Sequence, residues 1–219
     1  KKNFLDSIIG QTNHLKKNIK FEKDFSKKIE ILTAIMLTGL VFKEYEENFN
    51  ISIKELETLV RVFFDNNGFP LSRNPSDLVF FSKYFIFCKE AIKDSQKYVP
   101  EFLDDIIEKN LSCIHHIKTP DDHLPLFNGA TSLNLNQIQK YLDNYKPNKT
   151  DVNLGGLLKI KHKNHFLIID IDKPPEIKFS KSYQSGPLSF EYFLDGIKII
   201  TNSGFGTNIS KKAELLSRL

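Results

Sequence analysis

Apolar residues recur at helical spacing from the start of the chain to about residue 117. Phe4, Leu5, Ile8, Ile9, Leu15 and Ile19 predict a first helix over 4–19. Asp24 or Ser26 can cap a second, which runs through Ile29, Leu32, Ile35, Met36, Leu37, Leu40 and Val41. Its Ala34, Thr38 and Gly39 are small and predict close packing on a neighbour. Ser52 with Glu55 reads as a capping box for a third helix over 53–64, stopped by Asp65-Asn66-Asn67-Gly68. A fourth starts after Asn74-Pro75, with proline in its first turn. A fifth spans 100–117, with Phe102, Leu103, Ile106, Ile107, Leu111 and Ile114 on its core face. A weak helix is predicted over 134–142. Helices this regular, with short connections, predict stacked antiparallel pairs.

The period changes after Tyr145-Lys146-Pro147-Asn148. Residues 154–160 and 166–171 predict two strands around a turn at Lys161-His162-Lys163-Asn164. Asp195-Gly196 then predicts a hairpin, because both turn residues tolerate positive φ. On its first strand Leu188, Phe190, Tyr192 and Leu194 share one face; Ser189, Glu191 and Phe193 share the other. The first set reads as the apolar face, and Glu191 as a solvated strand residue. Helices followed by antiparallel strands predict an α+β chain, with a helical segment over 1–146 and a sheet segment over 150–219.

Composition adds limits. The 219 residues are 26% charged and 40% hydrophobic, which fits a globular protein with a sizeable core. No apolar run is long enough to span a bilayer. The net charge of +4 rests on lysines scattered along the chain, with arginines only at 61, 73 and 218. That permits an anionic ligand. It shows no dense basic stripe, so nucleic acid is not an expected partner. Cys88 and Cys113 sit in apolar helical contexts and read as buried free thiols. His162 and His165 make no metal spacing with them, so neither a metal nor a cofactor is expected. The chain starts at Lys1 without Met and is read as a fragment; a signal peptide lost ahead of it would place the protein in the envelope or periplasm.

Four segments, in order, resemble the heparinase II/III-like family. Gly68-Phe69-Pro70-Leu71-Ser72-Arg73-Asn74-Pro75 is similar to its "DGGH-x-SRNP" loop. Asp121 to Gly129, DDHLPLFNG, is similar to "DGG-x-x-x-FNG". Phe166 to Pro175 is similar to "vlvDaGppP". Gly186 to Glu191, with Asp195-Gly196 and Asn202-Ser203-Gly204, is similar to "HAG-x-LSFEL…G…VNCG". The resemblance implies the end of an α/α toroid followed by the start of an antiparallel β-sandwich. It implies a polysaccharide lyase that cleaves an acidic, uronate-containing glycan by β-elimination. A base removes the proton beside the uronate carboxylate, an acid protonates the leaving glycosidic oxygen, and a further group neutralises the carboxylate. No cofactor is implied.

Carried over residue by residue, the resemblance implies Tyr183 and His123 as the proton-transfer groups. It implies Asn67, Arg73, Asn74, Asn128 and Gln184 as substrate-binding residues. The chain departs from the pattern at three titratable places: Asn67 stands for the loop Asp, Pro70 for the loop His, and Gln184 for the hairpin His. Asn and Gln still bond hydroxyls or a carboxylate, so a non-catalytic glycan-binding or envelope-structural relative is the alternative. Plainer readings stand beside each residue. Arg73 can be a structural clamp that holds the 67–75 loop to helix ends. Asn74 can cap a helix. Asn128-Gly129 can be a turn. His123 can be an exposed loop residue. Tyr183 can be a half-buried aromatic, and His115-His116 can be held by the helix dipole. Tyr84, Tyr141 and Tyr145 stay open as sugar contacts.

Overall fold

The computed structural model describes residues 2–133, 135–146, 154–183, 186, 188–206 and 209–216. The helices are α1 (Lys2–Asn18), α2 (Phe25–Val41), α3 (Glu46–Phe63), α4 (Pro75–Asp94), α5 (Glu101–Ile117), α6 (Gln139–Asn144) and α7 (Lys211–Leu216). The strands are β1 (Leu157–His162), β2 (His165–Asp170), β3 (Phe190–Leu194) and β4 (Ile197–Ile200). They form one sheet in the order β1-β2-β3-β4, every neighbour antiparallel.

Packing divides the chain into two compact units. The first comprises Lys1–Phe63 with Lys83–Ile107, the second Phe64–Ser82 with Glu108–Leu219. α6 ends at Asn144 and β1 begins at Leu157. Packing divides elsewhere: residues 64–82 and 108–117 belong with the sheet.

In the first unit α2 and α3 pair. Asp24 caps α2 by accepting from the Ser26 N–H at 3.0 Å. Ile29, Leu32, Ile35 and Met36 of α2 are buried with Leu56, Leu59 and Phe63 of α3, and Phe25 stacks on Phe63 at 4.6 Å. Gly39 makes the approach possible: a Cβ there would meet the Phe49 N at 2.3 Å. Lys89 on α4 bonds Asp104 on α5 at 2.5 Å. The capping box at Ser52 is not formed. A 3-10 turn at Lys43–Tyr45 leads straight into α3, whose first turn carries Glu46 and Glu47 against the helix dipole. Ser52 therefore lies inside α3, fully buried, its hydroxyl without a partner among the described residues.

In the second unit Phe64 and Phe81 meet edge-on at 5.4 Å, and Phe166 of β2 meets Phe193 of β3 at 5.5 Å. Asp195 and Gly196 take φ of 52° and 79°, as the hairpin turn requires. Between β3 and β4 the register shifts: Phe193 pairs Lys198 and Tyr192 pairs Ile200, leaving Ile199 as the extra residue of a bulge. The burial of β3 is the reverse of the expectation. Glu191 and Phe193 are fully buried, while Leu188 and Phe190 are exposed. Alternation sorts residues onto two faces but does not say which face meets the core. The weak helix also moves: it forms at Gln139–Asn144, and Asn134, its expected start, lies outside the described residues.

Candidate functional site

The site is built on two buried carboxylates of the sheet, both within the second unit. Asp170 ends β2 with no exposed surface. Its Oδ1 takes the Arg73 Nη2–H and the Asp172 N–H; its Oδ2 takes the Asn128 Nδ2–H at 3.0 Å. The other nitrogens of Arg73 are engaged too. Nε donates to the Gly155 carbonyl at 3.0 Å, and Nη1 donates to the Lys173 and Asp172 carbonyls at 2.7 and 3.3 Å. Arg73 is itself buried and holds a left-handed φ of 57°. Gly155 and Gly156, both at positive φ, let the chain come this close: a Cβ on Gly156 would sit 2.6 Å from Arg73 Nη2. Arg73 thus binds the 67–75 loop to the sheet, and its charge is balanced inside the fold.

Glu191 does the same for a second loop. Its Oε1 accepts from the Leu126 N–H at 3.2 Å, the Asn202 N–H at 3.4 Å and the Thr201 hydroxyl at 3.3 Å. Its Oε2 lies 3.3 Å from Lys198 Nζ, which also reaches Asp121 at 3.7 Å. Periodicity gives no sign of either carboxylate's role. The one signal is a lone Asp and a lone Glu in otherwise apolar strands.

The expected site residues fall into three groups. Arg73, Asn128 and Tyr183 converge. Asn128, at φ 53°, donates from Nδ2 to the Arg73 carbonyl at 3.0 Å as well as to Asp170. Its Oδ1 is buried and has no partner among the described residues. Next to it, Gly129 packs so tightly on the Ser182 carbonyl that a Cβ would come within 1.9 Å. Tyr183 follows Ser182. Its hydroxyl is buried and meets no partner in hydrogen-bond geometry among the described residues. Burial raises its pKa above an ordinary phenol's and the Asp170 carboxylate adds to this, against smaller opposing effects of the Gly186 N–H and Arg73.

Asn74 and His123 form the second group, each held at a loop. Asn74 is buried and caps α4, accepting from the Ser76 N–H at 2.9 Å. His123 is exposed, and its carbonyl takes the Thr119 N–H and hydroxyl at 2.9 and 2.8 Å. Beside it, burial works to raise the Asp121 pKa, but the Thr119 hydroxyl, Lys198 and His123 outweigh it, so the net direction is down. Asn67 stands apart, exposed, with its carbonyl accepting from Cys113 Sγ at 3.2 Å. Gln184 lies outside the described residues.

The chain superposes on heparinase III with a TM-score of 0.79 at 14% identity, covering 99% of this chain and 40% of that one. The fold is heparinase-like. Heparan sulfate lyase HepC from Pedobacter heparinus matches at TM-score 0.72 and 17% identity, and another heparinase III at 0.78 and 16%; each match covers 99% of this chain and 38% of the other. The chain therefore spans about two fifths of the length of these structures. Its helices followed by an antiparallel sheet correspond to the end of the toroid and the start of the sandwich. Comparison with models of protein families finds no match, and neither does comparison with curated proteins. Among the described residues no helix is long and apolar enough to cross a membrane, and no cluster of His, Cys, Asp and Glu could hold a metal ion.

Proposed function

We propose that the chain is part of a polysaccharide lyase-like protein that acts on an acidic, uronate-containing glycan by β-elimination. The observation that supports this is the convergence, in a chain of this fold, of the 67–75 loop, the 124–130 loop and the 180–183 segment around the Tyr183 phenol, whose pKa burial raises. Two of the proteins sharing the fold are named as heparinase III and heparan sulfate lyase, so a glycosaminoglycan is the candidate substrate. In the elimination a base takes the proton beside the carboxylate, its electron pair becomes the ring double bond, and the C–O bond to the leaving sugar breaks. Tyr183 gives its proton to that leaving oxygen; a raised pKa suits a donor better than a base. The base is assigned to His123, which is exposed on a loop outside that convergence. Asn67 and Gln184 bond the carboxylate. Asn128 ties the Arg73 carbonyl to Asp170, and Arg73 positions both loops.

Tyr183→Phe and His123→Ala are each expected to lower formation of the ultraviolet-absorbing unsaturated uronate about 10²–10⁴-fold. Full activity in both variants would remove these assignments.

A second reading, binding without cleavage, is favoured by Arg73. Its guanidinium already faces Asp170, so a substrate carboxylate there would meet a neutralised charge and a competing anion. That reading predicts saturable binding of uronate oligosaccharides by the intact chain and no unsaturated product.

A further inference from the structure

Basic side chains gather where the end of α5 meets β1, the edge strand of the sheet. Lys159 on β1 donates from Nζ to the His116 carbonyl at 2.6 Å. Lys161 is two residues on and leaves the strand on the same face. Lys118, just past α5, pairs with Asp122 Oδ1 at 2.9 Å. Neither Lys159 nor Lys161 has a carboxylate partner among the described residues. His115, in the last turn of α5, is exposed, and its ring lies 6.2 Å from the Tyr145 ring at 54°.

A helix C-terminus carries partial negative charge and ordinarily favours a protonated imidazole. At His115 the direction is the opposite. Partial desolvation lowers its pKa, and Lys118 and Lys159 lower it further. Lys159 is itself lowered by desolvation and by Lys161. Lys118 and Lys159 stand close enough to act on the His115 ring, and Lys159 and Lys161 bring charge without a carboxylate partner among the described residues beside the Tyr145 ring.

We propose that Lys118, Lys159 and Lys161, with Tyr145, form a subsite for an acidic sugar residue. The ammonium groups take its anionic substituent, and the Tyr145 ring packs on its apolar face. A lysine acts as a point charge and accepts a tetrahedral sulfate or a planar carboxylate alike. The choice of a sugar rests on the lyase-like reading above; the anion site rests on the charges alone.

The test follows the His115 ring by NMR in the full chain at fixed ionic strength. The probes are a sulfated uronate-containing hexasaccharide, its unsulfated counterpart and a neutral hexasaccharide. Either acidic sugar is expected to raise the His115 pKa as it saturates the site, and the larger rise tells which substituent is taken. Lys161→Gln, an exposed change, weakens acidic-sugar binding about two- to fivefold and shrinks the His115 response. No response to either acidic sugar overturns the proposal, as does an equal response to the neutral sugar or to added sodium chloride. A His115 response without any unsaturated product leaves this site standing and removes the lyase reading. Product without a His115 response removes this site alone.

Discussion

Asp170 accepts hydrogen bonds from Arg73, Asn128 and Asp172 while showing no surface to solvent. Asp170→Ala would leave a buried guanidinium without its counter-charge. It is expected to cost about 3–5 kcal/mol, read as a lower urea midpoint. If the pair were dispensable, the midpoint would stay within error of the parent. The thiols make a second residue-scale case. Burial pushes Cys88 up to about 11 and Cys113 up to about 12 from an ordinary 9. These raised values mean that the fold retains protons the unfolded chain releases. Their contribution to stability is whole below about pH 9 and is lost as pH rises toward 11 and 12. Stability measured from pH 8 to 11 should fall, and Cys113→Ala should flatten the slope. An unchanged slope would show that the thiol is not held this way.

At the scale of elements, glycines separate turn strain from crowding. Gly196 needs positive φ in the β3–β4 turn, but a Cβ there would find nothing within 4 Å, so Gly196→Ala should cost only about 1 kcal/mol. Gly155 also has positive φ, and a Cβ there would lie 2.4 Å from the Phe69 ring. Gly155→Ala should cost clearly more, because the turn before β1 would have to move off Phe69 and take the Arg73 contact with it. Equal losses in thermal unfolding would refute that ranking. Helix ends follow the same local logic: Asn74 before Pro75 starts α4 because its side chain fills the cap its sequence suggests.

For the molecule as a whole, the sheet shows an apolar outer face. Ile160 of β1, Phe190 of β3 and Ile197 and Ile200 of β4 are exposed. Cross-strand register aligns Ile160 with Leu167, Leu167 with Tyr192, and Tyr192 with Ile200 in one row. Apolar area gathered in this way binds hydrophobic dyes and promotes association. Ile160→Lys with Ile200→Glu should lower dye fluorescence without shifting the unfolding midpoint; unaltered fluorescence would mean that the face is not the source.

The order of helices and strands as far as β4, the Asp195-Gly196 turn, the Asn74 cap and the apolar contexts of both thiols were legible from the sequence, because each depends on neighbours within a few residues; α7 was not. The sequence left three things open, and distance is the reason. A clamping role for Arg73 was readable, but its carboxylate partner lies 97 residues away, on the sheet, where no local pattern reaches. Which face of β3 is buried depends on what the sheet packs against, and alternation is symmetric in that respect. The lowered pKa of His115 comes first from burial, then from the neighbouring Lys118 and from Lys159 on a strand that begins 40 residues later, so a local pattern shows only part of its cause.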